Sequence, residues 1–113
     1  MSVVNKTREL VAGTISNQLR WMAVGTDPGL TPTTPEMTQL VDELVRVPVT
    51  SAVVTGNAVQ FTAKFTNLPP CEITEMGLYC TKTGATLGAR WLTKALKPTK
   101  NNDIEVSWTL QMD

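Results

Sequence analysis

The stretch from Asp103 to Met112 alternates without a break. Ile104, Val106, Trp108, Leu110 and Met112 fall on one side, and Glu105, Ser107, Thr109 and Gln111 fall on the other. A period of two is the signature of an extended strand with one dry face, and a helix cannot sort residues this way. Ala58 to Thr66 repeats the pattern, setting Val59, Phe61, Ala63 and Phe65 against Gln60, Thr62, Lys64 and Thr66. The Val-rich run Arg46 to Thr55 comes before it, with Val47, Val49 and Val53 on one face, and Gly56-Asn57 lies between the two runs. Two extended runs around such a pair predict a hairpin. Pro48 lacks the N–H that a ladder needs, so its strand belongs at a sheet edge or at a bulge. Pro69-Pro70 ends the unit.

The remaining segments fit the same picture. Asn5 to Gly13 reads as a short helix, capped by Asn5 and stopped at Gly13. Gln18 to Val24 has strand content, with Leu19, Trp21 and Ala23 on one face. Gly25 to Pro35 holds three prolines and two glycines and reads as a long ordered loop. Thr38 to Val45 fits a turn or two of helix as well as it fits a strand. Glu72 to Thr81 and Thr86 to Thr93 flank the turn Lys82-Thr83-Gly84-Ala85, a second hairpin. Lys94 to Asn102 reads as a polar linker. About six antiparallel strands and one short N-terminal helix predict a mainly β chain, a small β-sandwich.

With 113 residues the chain has the size of one domain. Lys plus Arg balance Asp plus Glu at 10 each, so no net field draws it to nucleic acid or to an anionic membrane. No apolar run approaches the ~20 residues of a spanning helix. Lys6, Arg8 and Glu9 interrupt the opening residues, so no secretory leader is expected there. Histidine is absent. That removes the commonest general base and metal ligand, and with them every Ser-His or Cys-His couple. The chain is therefore expected not to be an enzyme.

Other chemistry is thin. Cys71 and Cys80 lack metal-binding spacing, and one extended strand between them would hold them too far apart to bond, so both are expected to be free thiols. Glu72 and Glu75 point to opposite faces of a strand and cannot flank one glycosidic bond. Glu75 lies inside the apolar run Ile73 to Tyr79, where a carboxylate needs a cationic partner, and Arg46 or Arg90 is available from neighbouring strands. A structural ion pair among Glu75, Arg46 and Arg90 is the expectation. No calcium loop, zinc set or phosphate cradle is recognisable, and no cofactor is expected. Trp21, Trp91 and Trp108 alternate with apolar neighbours, as core residues do.

The order of the segments is more specific than their chemistry. Trp21-Met-Ala-Val-Gly-Thr26 leads into the Pro/Thr loop, followed by Leu40, Glu43 and Arg46-Val-Pro-Val49. After the Gly56-Asn57 hairpin come Ile73-Thr-Glu-Met-Gly-Leu-Tyr79, Gly84, Leu87-Gly-Ala-Arg90 and a closing Ser107-Trp108-Thr109. Over residues 5 to 112 this resembles small bacteriophage virion structural proteins, and is similar to the N-terminal attachment, or collar, domain of phage tail fibres. Thr26-Asp27-Pro28 departs from the second glycine usual in that family. The chain also stops where a fibre would continue into a shaft, so a receptor-binding role is not expected to carry over.

The resemblance implies a virion component assembled in a bacterial cytoplasm, in the tail, the baseplate or a fibre attachment. Its partners would be other virion proteins and copies of itself, with neither nucleic acid nor membrane among them. A capsid decoration protein or head fibre base is the alternative. A small glycan- or peptide-binding module using Trp21 or Trp91 is the alternative from another class. The loop is the expected assembly contact, through Asp27, Pro28, Leu30, Thr31, Pro32, Thr33, Thr34 and Pro35. Its length exceeds the about 4–6 residues usual for a connection, and its prolines limit the entropy lost on docking. As such a contact it should be removable without unfolding the domain.

Overall fold

The computed structural model describes residues 5–97 and 103–111. The chain runs α1 (Asn5–Gln18), β1 (Trp21–Gly25), β2 (Glu43–Pro48), β3 (Ser51–Thr55), β4 (Ala58–Phe65), β5 (Ile73–Tyr79), β6 (Leu87–Leu96) and β7 (Ile104–Gln111). Two antiparallel sheets, ordered β2-β1-β5-β6 and β3-β4-β7, make the expected small β-sandwich. Val59, Phe61, Ala63, Phe65 and Val106 of the second sheet meet Met22, Val24, Met76 and Leu78 of the first in one apolar core. Trp91 and Trp108 close one side of it, their rings tilted at 52° in contact across the two sheets.

Among the described residues seven strands form where about six are expected, because Arg46 to Thr55 is two strands. Pro48 has no N–H to give, Val49 donates to Arg20, and Thr50 donates to Thr62 of β4. Successive backbone donors are thus claimed by different sheets, and the chain changes layer between them. The change also resets which side faces inward. Val47 and Val49 pack on the core, whereas Val53 stands on the solvent face at 51% exposure. Pro48 does lie on an edge strand, as its chemistry requires. The hairpin turn is formed as expected, with Gly56 at φ 60° in its first central position.

Two boundaries also move. The helix runs on past Gly13 to Gln18, because Ala12, Ile15 and Leu19 recur at a helical spacing and pack into the core. Tertiary packing outweighs the about 1 kcal/mol that an internal glycine costs. β6 runs to Leu96, which pairs with Ile73, so residues 94–96 belong to a strand and not to a linker. Residues 98–102 of the expected linker and Met112 lie outside the described residues. Residues 38–42 are neither helix nor strand, and β2 begins at Glu43.

β1 and β5 are buried on both faces. Met22 and Val24 point into the sandwich. Trp21 and Ala23 lie on the other side, against Leu40, Tyr79 and Leu87. What covers that outer side is the segment between β1 and β2, residues 26–42, which acts as a third layer. Both cysteines are free, Cys71 half-buried before β5 and Cys80 exposed just after it.

Candidate functional site

The covering segment is fastened by a buried polar cluster beneath it. Glu75 on β5 is wholly buried, with Arg90 of β6 beside it, their Nε–Oε1 distance being 3.0 Å. The backbone N–H groups of Val41 and Asp42 donate to the two carboxylate oxygens of Glu75 at 3.0 and 2.7 Å. Arg90 spends its other donors on the segment as well. Its Nη1 reaches the Thr31 carbonyl at 2.7 Å and the Thr33 hydroxyl at 2.9 Å. Its Nη2 approaches Asp27 at 3.4 Å. A guanidinium has a fixed fork of donors, so its neighbours are held in one arrangement.

Asp27 shapes the tip of the segment. Its carboxylate accepts the N–H of Gly29 at 3.0 Å and of Thr31 at 2.7 Å, and the Thr74 hydroxyl holds its carbonyl at 2.7 Å. An aspartate that accepts its own backbone two residues on makes a stable turn. Gly25 has to be glycine for the segment to leave β1 here. A Cβ would stand 2.5 Å from the Glu75 carboxylate and 2.6 Å from the Asp42 carbonyl. Further along, Leu40 is buried over Ala23 and Tyr79, and its N–H donates to the Tyr79 hydroxyl at 2.8 Å.

The sequence offered Arg46 and Arg90 as partners for Glu75, and the structure selects Arg90. Arg46 pairs with Glu43 at 2.8 Å, lies over the Tyr79 ring at 3.4 Å, and donates to the carbonyls of Thr81 and Gly84. It ties the β5–β6 turn to the β2 edge. Of the expected contact residues, Asp27 is buried, while Pro28, Leu30, Thr31, Pro32, Thr33, Thr34 and Pro35 are exposed. Thr31 and Thr33 nevertheless serve Arg90. The loop is therefore part of the fold and cannot be cut out without taking Asp27, Thr31 and Thr33 away from the buried Arg90. This corrects the expectation that it is dispensable for folding.

Leu30, at the tip, has φ 49° and is 49% exposed. A leucine in the left-handed region costs about 1–2 kcal/mol. Strain of this kind persists only where the surroundings impose it, and it gathers at binding sites. Trp21 and Trp91, the aromatic residues of the glycan-binding alternative, are both half-buried, packed against the apolar clusters.

Electrostatics fix the pH range of this arrangement. The Thr31 N–H, assisted by Gly29 and the Arg90 charge, holds Asp27 below its usual 3.8 despite burial. For Glu43, burial works against ionisation, but hydrogen bonds from Arg46 and Tyr79 and the Arg46 charge outweigh it, so its value is also lowered. Both folded values are depressed, so their contribution is complete above the ordinary carboxylate range and is lost as pH falls below it, through the lowered folded values. Burial pushes Tyr79 up to about 12 from 10, so its contribution is complete below pH 10 and is lost as pH rises toward 12. Tyr79 is the sole tyrosine of the chain. Phenolate absorbance should therefore rise only as the domain unfolds in alkali, and Asp27→Asn should flatten the acid limb of a Tm-against-pH profile. A phenolate transition near pH 10 with the fold intact would contradict the buried hydroxyl.

No family model matches the chain, and no curated protein matches it in sequence.

Proposed function

We propose that this chain is a non-enzymatic structural subunit of a bacteriophage virion, in the tail, the baseplate or a fibre attachment, and that residues 28–36 are its docking ridge. One observation carries the reading: the covering segment spends its polar groups inward, on Arg90 and Glu75, and presents a fixed ridge outward. Each charge of the cluster is satisfied within the domain, so its work is to hold a shape. A ridge already fixed gives up little entropy when a neighbour binds it, which is how a small contact reaches useful affinity. Pro28, Pro32 and Pro35 stiffen it further, and Leu30 offers the apolar anchor that an interface centre favours. The resemblance of the segment order to tail-fibre attachment domains supports the virion setting.

Leu30→Gly separates folding from docking. Relief of the left-handed strain should raise stability by about 1 kcal/mol, read as a higher urea midpoint. The same change should reduce recovery of the protein in particles assembled in its presence. Undiminished incorporation would sink the ridge as the contact. Counting copies per particle then separates locations, because a tail imposes cyclic symmetry and a capsid surface imposes the copy number of its lattice.

A further inference from the structure

Among the described residues four strands lie at sheet edges: β2 and β6 in the first sheet, β3 and β7 in the second. Three are guarded. β2 carries Glu43, Arg46 and Pro48. β6 carries Lys94, and its Leu87 N–H is taken by the Thr38 carbonyl of the covering segment. β7 carries Glu105. Charge, proline and coverage are the devices that keep an edge from pairing with another chain. β3, Ser51-Ala-Val-Val-Thr55, has no charge and no proline, and all its residues are exposed.

The hairpin register shows which backbone groups of β3 are open. A two-residue turn makes Thr55 and Ala58 a hydrogen-bonded pair, and strict alternation makes Val53–Gln60 and Ser51–Thr62 bonded pairs as well. The N–H and C=O of Ala52 and Val54 therefore point away from β4, toward the free edge.

We propose that β3 pairs antiparallel with β3 of a second copy of this chain, about a twofold axis at Val53, so that the two β3-β4-β7 sheets become one. In this register Ala52 faces the partner's Val54, and Val54 faces the partner's Ala52. Each pair exchanges two hydrogen bonds, which satisfies every open group on both strands. Val53 meets its symmetry mate at the intervening position, where facing side chains approach most closely. Ser51 faces the partner's Thr55, hydroxyl to hydroxyl. The edge is thus its own complement in hydrogen-bond phase and in side-chain type, as an isologous contact requires. No charge opposes its like in the pairing, and a net charge of zero adds no repulsion between copies.

Sedimentation velocity on the full purified chain, over a concentration series, tests the pairing. The wild type should form a dimer that dissociates on dilution. Val54→Pro should weaken it roughly tenfold or more, since the twofold removes the outward N–H twice. Val53→Lys should abolish it by setting like charges face to face, with no loss of Tm relative to diluted, monomeric wild type. A second measurement does not depend on those variants folding. With Cys71→Ser and Cys80→Ser in place, Val53→Cys should give a disulfide-linked dimer on oxidation and Thr55→Cys should not, because Val53 alone meets itself. A chain monomeric at millimolar concentration overturns the proposal. So does a dimer indifferent to Val53→Lys, or linkage through Thr55→Cys that equals linkage through Val53→Cys.

Discussion

Arg90→Met is expected to destabilise the domain by about 3–5 kcal/mol, the usual result of removing one partner from a buried ion pair. Arg90 and Glu75 side chains are both fully buried, with 3.0 Å between Nη2 and Oε1, so the loss leaves a carboxylate in the interior with only two backbone N–H donors. It also frees the Thr31 carbonyl, the Thr33 hydroxyl and Asp27 from their common partner. Urea unfolding monitored by tryptophan fluorescence gives the number. Glu75→Ala should fall in the same range, while Glu105→Ala, on the solvent face of β7, should stay within about 0.5 kcal/mol. Equal small losses at Glu75 and Glu105 would mean that Glu75 is hydrated. The exposed Glu72–Lys97 pair, at 3.5 Å, is expected to contribute almost nothing.

Phe61→Ala should cost about 3–5 kcal/mol. Phe61 is fully buried in the middle of β4, opposite Trp108 on β7 and Ala52 on β3, so its removal leaves a cavity in the core between the sheets. Trp108→Ala should cost less, because Trp108 is only half-buried, but its loss should be strongly coupled to that of Trp91. A double-mutant cycle over Trp91 and Trp108 ought to return a non-additive term of about 0.5–1.5 kcal/mol. Additive losses would mean that the ring contact between the sheets contributes nothing beyond burial.

The elements that sequence reveals here are those whose physics is local. The alternation in β4 and β7 follows from one wet and one dry face, and both strands form with the predicted sides inward. Gly56-Asn57 announces its turn because backbone freedom is needed at that point and nowhere nearby. Where the controlling contact is distant, the sequence misleads. Gly13 looks like a helix end until Ala12, Ile15 and Leu19 are seen to share a core with strands far along the chain. Arg46 to Thr55 looks continuous because a change of sheet leaves the Val-rich composition unaltered. In the site, Glu75 betrays itself as a carboxylate within an apolar run. Its anchoring by Val41 and Asp42 leaves no trace, since every residue except proline supplies the same backbone N–H. Asp27 has a weak signal in Asp-Pro-Gly, which reports the turn but not the guanidinium it meets.

The fastening of the covering segment also sets its place in time. Asp27 and Arg90 are 63 residues apart, Thr31 and Arg90 are 59 apart, and Leu40 and Tyr79 are 39 apart. Contacts of such separation lose chain entropy before they return anything, whereas hairpins with short turns close within microseconds. Glu75 and Arg90 share a neighbourhood only once β5 and β6 are paired, so residues 28–36 take their final shape after that hairpin exists and after synthesis has passed Arg90. A chain cut short or only half folded therefore has no ridge to display. In the docking role proposed for residues 28–36, a neighbour gripping them would read the finished state of the whole subunit through one small surface, and immature copies would be passed over.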